Sequence, residues 1–301
     1  MNYTSVIGGK RIKQTVIFVS LSLISFYTEK KQEAEIVTRK SKHRDLVLVT
    51  GASSGIGEAM AVQFARQGHD LVIVARGKDK LKALAADLQK KYDVQVCVIA
   101  TDLGVPGAPE KLLAAIKRRK LAIDILVNNA GINEAGAFVT MPLKRSQEII
   151  ALNVAAATAM LSCFVPPMVK RGHGRVLNIA STSSFVPVPN MATYAASKAY
   201  LLSITESLSV ELGGTGVTVT ALCPGVVATD MLDVIQSADP DFAKSISFNV
   251  LDAAHVATEG YDACMSGSVV HVPGLTNKLT AVFSRVLPKR MVRLVTGKMA
   301  H

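Results

Sequence analysis

Leu46-Val47-Leu48-Val49-Thr50-Gly51-Ala52-Ser53-Ser54-Gly55-Ile56-Gly57 is the stretch whose reading decides the fold. Leu46 to Val49 is an unbroken apolar run, the pattern of a strand buried on both faces of a parallel sheet. Glycines at 51, 55 and 57 follow, and a helical pattern runs from Glu58 to Gln67. A glycine-rich turn between a strand and a helix is the context that makes a dinucleotide site credible. The glycines permit a tight turn and close backbone approach, and the helix start presents free N–H groups to a pyrophosphate. A tight connection built only for packing is the competing reading.

The same alternation continues outward. Strands are expected at 70–75, 94–100, 123–127, 175–180, 217–222 and 269–272. Helices are expected at 79–92, 109–119, 145–170 and 192–212, with Pro166 and Pro167 kinking or ending the third of these. Such βαβ units give a three-layer α/β fold, a doubly wound parallel sheet of Rossmann type.

Chemistry concentrates at a few positions. Tyr194 and Lys198 are four residues apart on an expected helix, so they share a face. A phenol titrates near 10, and a fixed ammonium one turn away is expected to draw that value down. Ser181 follows the fifth strand, at a carboxyl end where open α/β sheets bind ligands. Asn153 is a polar residue in an apolar helix, either bonded within the core or anchoring a water. Asn128-Asn129-Ala130-Gly131 ends the fourth strand, and Pro224-Gly225-Val226-Val227-Ala228-Thr229 follows the sixth. The second strand ends Val74-Ala75-Arg76, with no acid to bond a ribose 2′-hydroxyl before Asp79. Arg76 can instead grip a 2′-phosphate with its guanidinium fork, so NADP(H) is expected over NAD(H).

These motifs, in this order, resemble the short-chain dehydrogenase/reductase superfamily over residues 45–272. The superfamily's T-G-x-x-x-G-x-G corresponds to Thr50–Gly57, its N-N-A-G to Asn128–Gly131, and its P-G-x-x-x-T to Pro224, Gly225 and Thr229. Its catalytic tetrad corresponds to Asn153, Ser181, Tyr194 and Lys198. Ala180 stands where many members carry a second serine. The resemblance implies cofactor contacts from Gly51, Ser53, Ser54, Gly55, Ile56 and Gly57 in the first turn. Further contacts are implied at Arg76, Asp102, Leu103, Asn129, Ala130, Gly131, Tyr194, Lys198, Pro224, Gly225, Val227 and Thr229. It also implies hydride transfer to a carbonyl, with Tyr194 giving the proton, Ser181 stabilising the oxygen and Lys198 lowering the tyrosine pKa. Asn153 would hold a water linking Lys198 to solvent, and a dimer or tetramer would form through the long helices.

The net positive charge is confined to the ends. Residues 1–44 hold nine Lys/Arg and three acids, residues 271–301 hold six and none, and residues 45–270 hold nineteen and twenty. A neutral body argues against nucleic-acid binding, and basic ends point to an anionic surface such as a membrane or to solvated tails. Val16–Tyr27 is too short to cross a bilayer, which needs about 20 residues. It reads as a shallow anchor, a disordered extension or an extra packed element, with a linker at 28–44. Residues 273–301 form a second extension with basic amphipathic spacing, which suits a membrane surface or packing on the domain. Residues 230–265, a substrate lid in the superfamily, are apolar at Met231, Leu232, Val234, Ile235, Phe242, Ile246 and Phe248. That favours an apolar, lipid-like carbonyl or alcohol substrate or simple packing. Cys97, Cys163, Cys223 and Cys264 lack ligand spacing and read as buried free thiols of a cytoplasmic protein, on the cytoplasmic membrane face if the ends bind lipid. No metal is expected. A non-catalytic NADP(H) sensor or scaffold on the same fold is the competing function.

Overall fold

The computed structural model describes residues 44–238, 240, 243–244 and 250–297. The anchor and linker readings of residues 1–43 lie outside the described residues, as do Phe242, Ile246 and Phe248 of the lid.

The strands are β1 (Leu46–Thr50), β2 (Asp70–Ala75), β3 (Val96–Ala100), β4 (Ile125–Asn128), β5 (Gly174–Ile179), β6 (Val217–Leu222) and β7 (Val270–His271). They form one parallel sheet in the order β3-β2-β1-β4-β5-β6-β7. The order reverses between β1 and β4, and in open α/β sheets that switch point opens a crevice at the strands' carboxyl ends.

Helices α1 (Gly55–Arg66), α2 (Lys78–Tyr92) and α7 (Ala253–Ser266) cover one face of the sheet. Met60, Phe64, Leu81, Leu88 and Val256 meet Val47, Val49 and Ile73 there. Helices α3 (Ala108–Arg118), α4 (Leu143–Arg171) and α5 (Ala192–Glu211) cover the other. Leu112, Ile116, Met160, Phe164 and Met168 pack on Leu48, Val72, Leu126 and Val176. Alternate residues of the central strands thus feed two separate cores, which is why β1 carries no polar residue before Thr50.

Helix α4 runs through Pro166 and Pro167 to Arg171, where Gly172 takes a left-handed φ of 69° and ends it. Of the two outcomes expected at the prolines, a kink or an end, the end does not occur there. Its irregularity lies upstream, in a π-helical turn over Ala151–Ala156 that carries Asn153. Helix α6 (Asp230–Ala238) follows the sixth strand, and α8 (Leu275–Val286) and α9 (Lys289–Gly297) close the described chain. Cys223 and Cys264 are buried, whereas Cys97 and Cys163 are only half-buried: Cys97 lies on the edge strand β3, and Cys163 packs on the core near Glu110 and Lys117 of α3.

Candidate active site

The floor of the crevice is a hydrogen-bonded junction between β1 and β4. Thr50, fully buried, accepts the Asn129 and Ala130 N–H groups on Oγ1 at 2.9 and 3.0 Å and donates to the Val127 carbonyl at 3.2 Å. Asn129 Nδ2 donates to the Thr50 and Gly51 carbonyls at 2.9 and 3.3 Å. One threonine and one amide thus hold both strand ends in register. Gly51 and Gly55 have φ of 67° and 58°, a region that disfavours side chains. A β-carbon on Gly57 would lie 2.2 Å from the Gly51 carbonyl oxygen and 2.4 Å from Asn129 Nδ2. Ser54 precedes α1 in extended backbone, and its hydroxyl does not cap the helix. Bare backbone, an uncommitted hydroxyl and a helix start therefore face the same cavity, and they fit a dinucleotide pyrophosphate.

The sequence-chosen catalytic residues come together. Ser181, Asn153, Tyr194 and Lys198 are all buried, and Ser181, Tyr194 and Lys198 line the cavity. The Ser181 hydroxyl lies near the Tyr194 phenol and favours its ionised form. Ser181 begins a short 3₁₀ turn, accepts the Ser183 N–H at 3.1 Å and reaches the Pro224 carbonyl at 3.5 Å. Asn153 accepts the Ile132 N–H at 2.9 Å and donates to the Ile132 carbonyl at 2.8 Å and to Ser197 Oγ at 3.1 Å. Its amide therefore clamps the chain just beyond Asn128–Gly131 to the helix that carries the tyrosine.

The electrostatics differ from the expectation at one point. Lys198 does not draw the phenol down. Burial pushes Tyr194 up to about 12, opposed only by the nearby Ser181 hydroxyl. Burial also pushes Lys198 down to about 8, against the nearby Cys223 thiol, which favours its charge. The amine lies 5.6 Å from the centre of the tyrosine ring and donates to the Ile179 carbonyl at 2.7 Å. With both groups desolvated, the cost of charge exceeds what the amine offers the phenol from that distance.

Neutral Tyr194 thus carries its proton into the cavity and can give it to an oxygen that gains charge, while Ser181 can bond the same oxygen. A nicotinamide cofactor bound here supplies or accepts the hydride. Gly131 keeps the wall beside Lys198 open, since a β-carbon there would sit 3.6 Å from Nζ and 3.2 Å from Asn153 Oδ1.

The cavity measures about 890 Å³. Arg76, Gly77, Lys80, Asp102 and Leu103 line one part of it, and Val188, Met191, Met231, Leu232 and Ile235 another. All the sequence-chosen cofactor residues line it: Ser53, Ser54, Ile56, Asn129, Ala130, Pro224, Gly225, Val227 and Thr229 join those already placed. Asp102 holds the Gly104 N–H at 3.0 Å, so its carboxylate also shapes the local turn.

Two contributions escape sequence reading. Asn128 donates to the Ala157 carbonyl and to Asn178 Oδ1 at 3.1 and 3.2 Å, and Asn178 donates to Thr205 Oγ1 at 2.8 Å. This buried polar chain ties β4, β5, α4 and α5 together beneath the site, and its signal in the sequence is Asn178, the one polar side chain at a buried position of β5. The second is the wall built by α8 and α9. Asn277, Thr280, Phe283, Leu287, Val292 and Val295 line the cavity. Asn277 fills the space a Gly225 side chain would need, with its amide 2.7 Å from that β-carbon position.

Comparison with known proteins agrees with this geometry. Residues 45–240 match the short chain dehydrogenase family model. An uncharacterized oxidoreductase of Staphylococcus epidermidis is 35% identical over 188 residues, covering 62% of this chain and 80% of that protein. The 2-(R)-hydroxypropyl-CoM dehydrogenase of Xanthobacter autotrophicus is 33% identical over 219 residues, covering 70% and 88%. Among solved structures, a short-chain dehydrogenase from Sphingobium yanoikuyae in complex with NADPH superposes with a TM-score of 0.70 at 31% identity, covering 85% of this chain and 94% of that one. The chain belongs to the short-chain dehydrogenase family, as an oxidoreductase that passes hydride between a nicotinamide cofactor and an alcohol or ketone.

Proposed function

We propose that the protein is an NADP(H)-dependent reductase of apolar ketones, able to oxidise the matching secondary alcohols. The observation that carries the cofactor choice is Arg76. It follows β2 directly, is exposed, and lines the cavity beside Lys80. None of the lining residues on that segment is acidic. A 2′-phosphate there gains charge-assisted hydrogen bonds, whereas a bare 2′-hydroxyl meets no carboxylate. The Sphingobium yanoikuyae relative in complex with NADPH is consistent with this choice. Met191, Met231, Leu232 and Ile235 supply an apolar surface near Tyr194, which suits a hydrophobic, lipid-like substrate.

A second copy of the chain is the natural partner for α4 and α5, which leave Ile150, Tyr200 and Val210 exposed. A homodimer or homotetramer through these helices is therefore part of the reading, as is a cytoplasmic location for a chain with free thiols.

Initial rates with NADPH and NADH over a panel of ketones test the reading, with Arg76→Asp beside the parent chain. The parent should prefer NADPH, and the variant should lose on the order of 10- to 100-fold of that preference, the loss of one or two charge-assisted bonds. Unchanged discrimination overturns the role of Arg76. Cofactor binding without turnover of any ketone favours a sensor on the same fold.

A further inference from the structure

Helices α8 and α9 have two faces with different jobs. Towards the domain, Asn277, Ala281 and Val292 are buried. Arg285 anchors α8 by pairing with Glu206 at 3.0 Å and lying over the Phe185 ring at 4.9 Å. Away from the domain, Leu275, Leu279, Val282 and Val286 recur at helical spacing, with exposures from 49% to 78%. On α9, Met291 and Leu294 are 51% and 63% exposed, and Lys289, Arg290 and Arg293 stand exposed among them. No acid occurs anywhere in residues 271–301.

We propose that the outer face of α8 and α9 docks on an anionic lipid surface. Exposed apolar side chains interleaved with cations are what an interfacial helix requires: the apolar groups enter the acyl boundary and the cations meet the headgroups. Charge decides against the other occupants. A second copy seated on the same patch would set cations against cations, because a two-fold contact is self-complementary. Residues 1–44, with nine Lys/Arg and three acids, carry the same sign. An anionic bilayer supplies the missing charge and the apolar phase together.

The position of the patch has a consequence for supply of substrate. Phe283 and Val295 are more than half exposed and also line the cavity, so the rim of the site belongs to the docking helices. An apolar ketone dissolved in the bilayer reaches Tyr194 from the lipid side. That consequence rests on the proposed apolar substrate; the docking does not.

The test uses the full chain and vesicles of phosphatidylcholine, alone or mixed with phosphatidylglycerol. The protein should sediment with the mixed vesicles and far less with phosphatidylcholine alone. Lys289→Gln with Arg290→Gln and Arg293→Gln should weaken partitioning on the order of a hundredfold, about fivefold per cation. None of these three lines the cavity, so turnover of a water-soluble ketone should persist and separates lost docking from lost activity. The chain has no tryptophan, so Val282→Trp gives a single reporter whose emission should shift to the blue on the mixed vesicles, while Gln89→Trp on α2 should not respond. The proposal is overturned if the triple variant binds as well as the parent, which would assign docking to another segment. It is equally overturned if Val282→Trp emission stays unmoved by vesicles, or shifts only with protein concentration, the sign of a second copy.

Discussion

Lys198→Met should separate the cost of the buried charge from its catalytic use. The amine is pushed from an ordinary 10.5 down to about 8 by burial. At ~1.4 kcal/mol per pH unit that displacement corresponds to about 3 kcal/mol against the charged form in the folded state. The sign follows from proton counting. Between pH 8 and 10.5 the unfolded chain holds a proton at this position that the folded chain has released, so folding gains as pH rises through that window. Below about pH 8 both states hold it and the full cost applies. Methionine is close in volume and never charged, so its stability curve lacks this climb. It also leaves the Ile179 carbonyl without the 2.7 Å donor, a loss of about 1–3 kcal/mol at every pH. The variant should therefore match or slightly exceed the parent at pH 7 and fall about 3 kcal/mol behind, relative to that point, by pH 10.5. Urea unfolding of both proteins at half-unit pH steps reads this directly. A stability difference that stays flat from pH 7 to 10.5 would refute the desolvated lysine, and with it the account of why the tyrosine is not acidified.

Two further outcomes test the site. Tyr194→Phe removes the proton donor but not the ring, so kcat should fall by roughly 10²- to 10⁴-fold while cofactor affinity, followed by fluorescence titration, stays within a few-fold; retained velocity would count against general acid catalysis by the phenol. Gly57→Ala places a β-carbon 2.2 Å from a backbone oxygen, which must move by about an ångström to reach ordinary contact. The turn should open and lose one or two pyrophosphate bonds, raising the cofactor Kd on the order of 10- to 100-fold by calorimetry, and parent-like affinity would show that the close approach is not needed for binding.

Much of this protein is written in short-range spacing. The run Leu46–Val49 must be a doubly covered strand because every side chain is apolar, and the glycines at 51 and 55 must be a turn because they tolerate left-handed backbone, while Gly57 leaves room for the close approach of the Gly51 carbonyl. Tyr194 and Lys198 share a helix face through a four-residue interval that no packing can alter. Residue type and interval suffice there, since the constraint acts within one turn or one strand. Tertiary structure decided what depends on neighbours far along the chain. Asn153 clamps Ile132 because a π-helical turn aims it there, and Asn178 matters because Asn128 and Thr205 close on it. The last two helices wall the cavity through residues that the sequence leaves equally suited to a membrane or to packing. The titration of Tyr194 was decided the same way: spacing puts an ammonium nearby, but how much water the fold removes from both groups sets which charge survives, and desolvation is a property of the assembled interior.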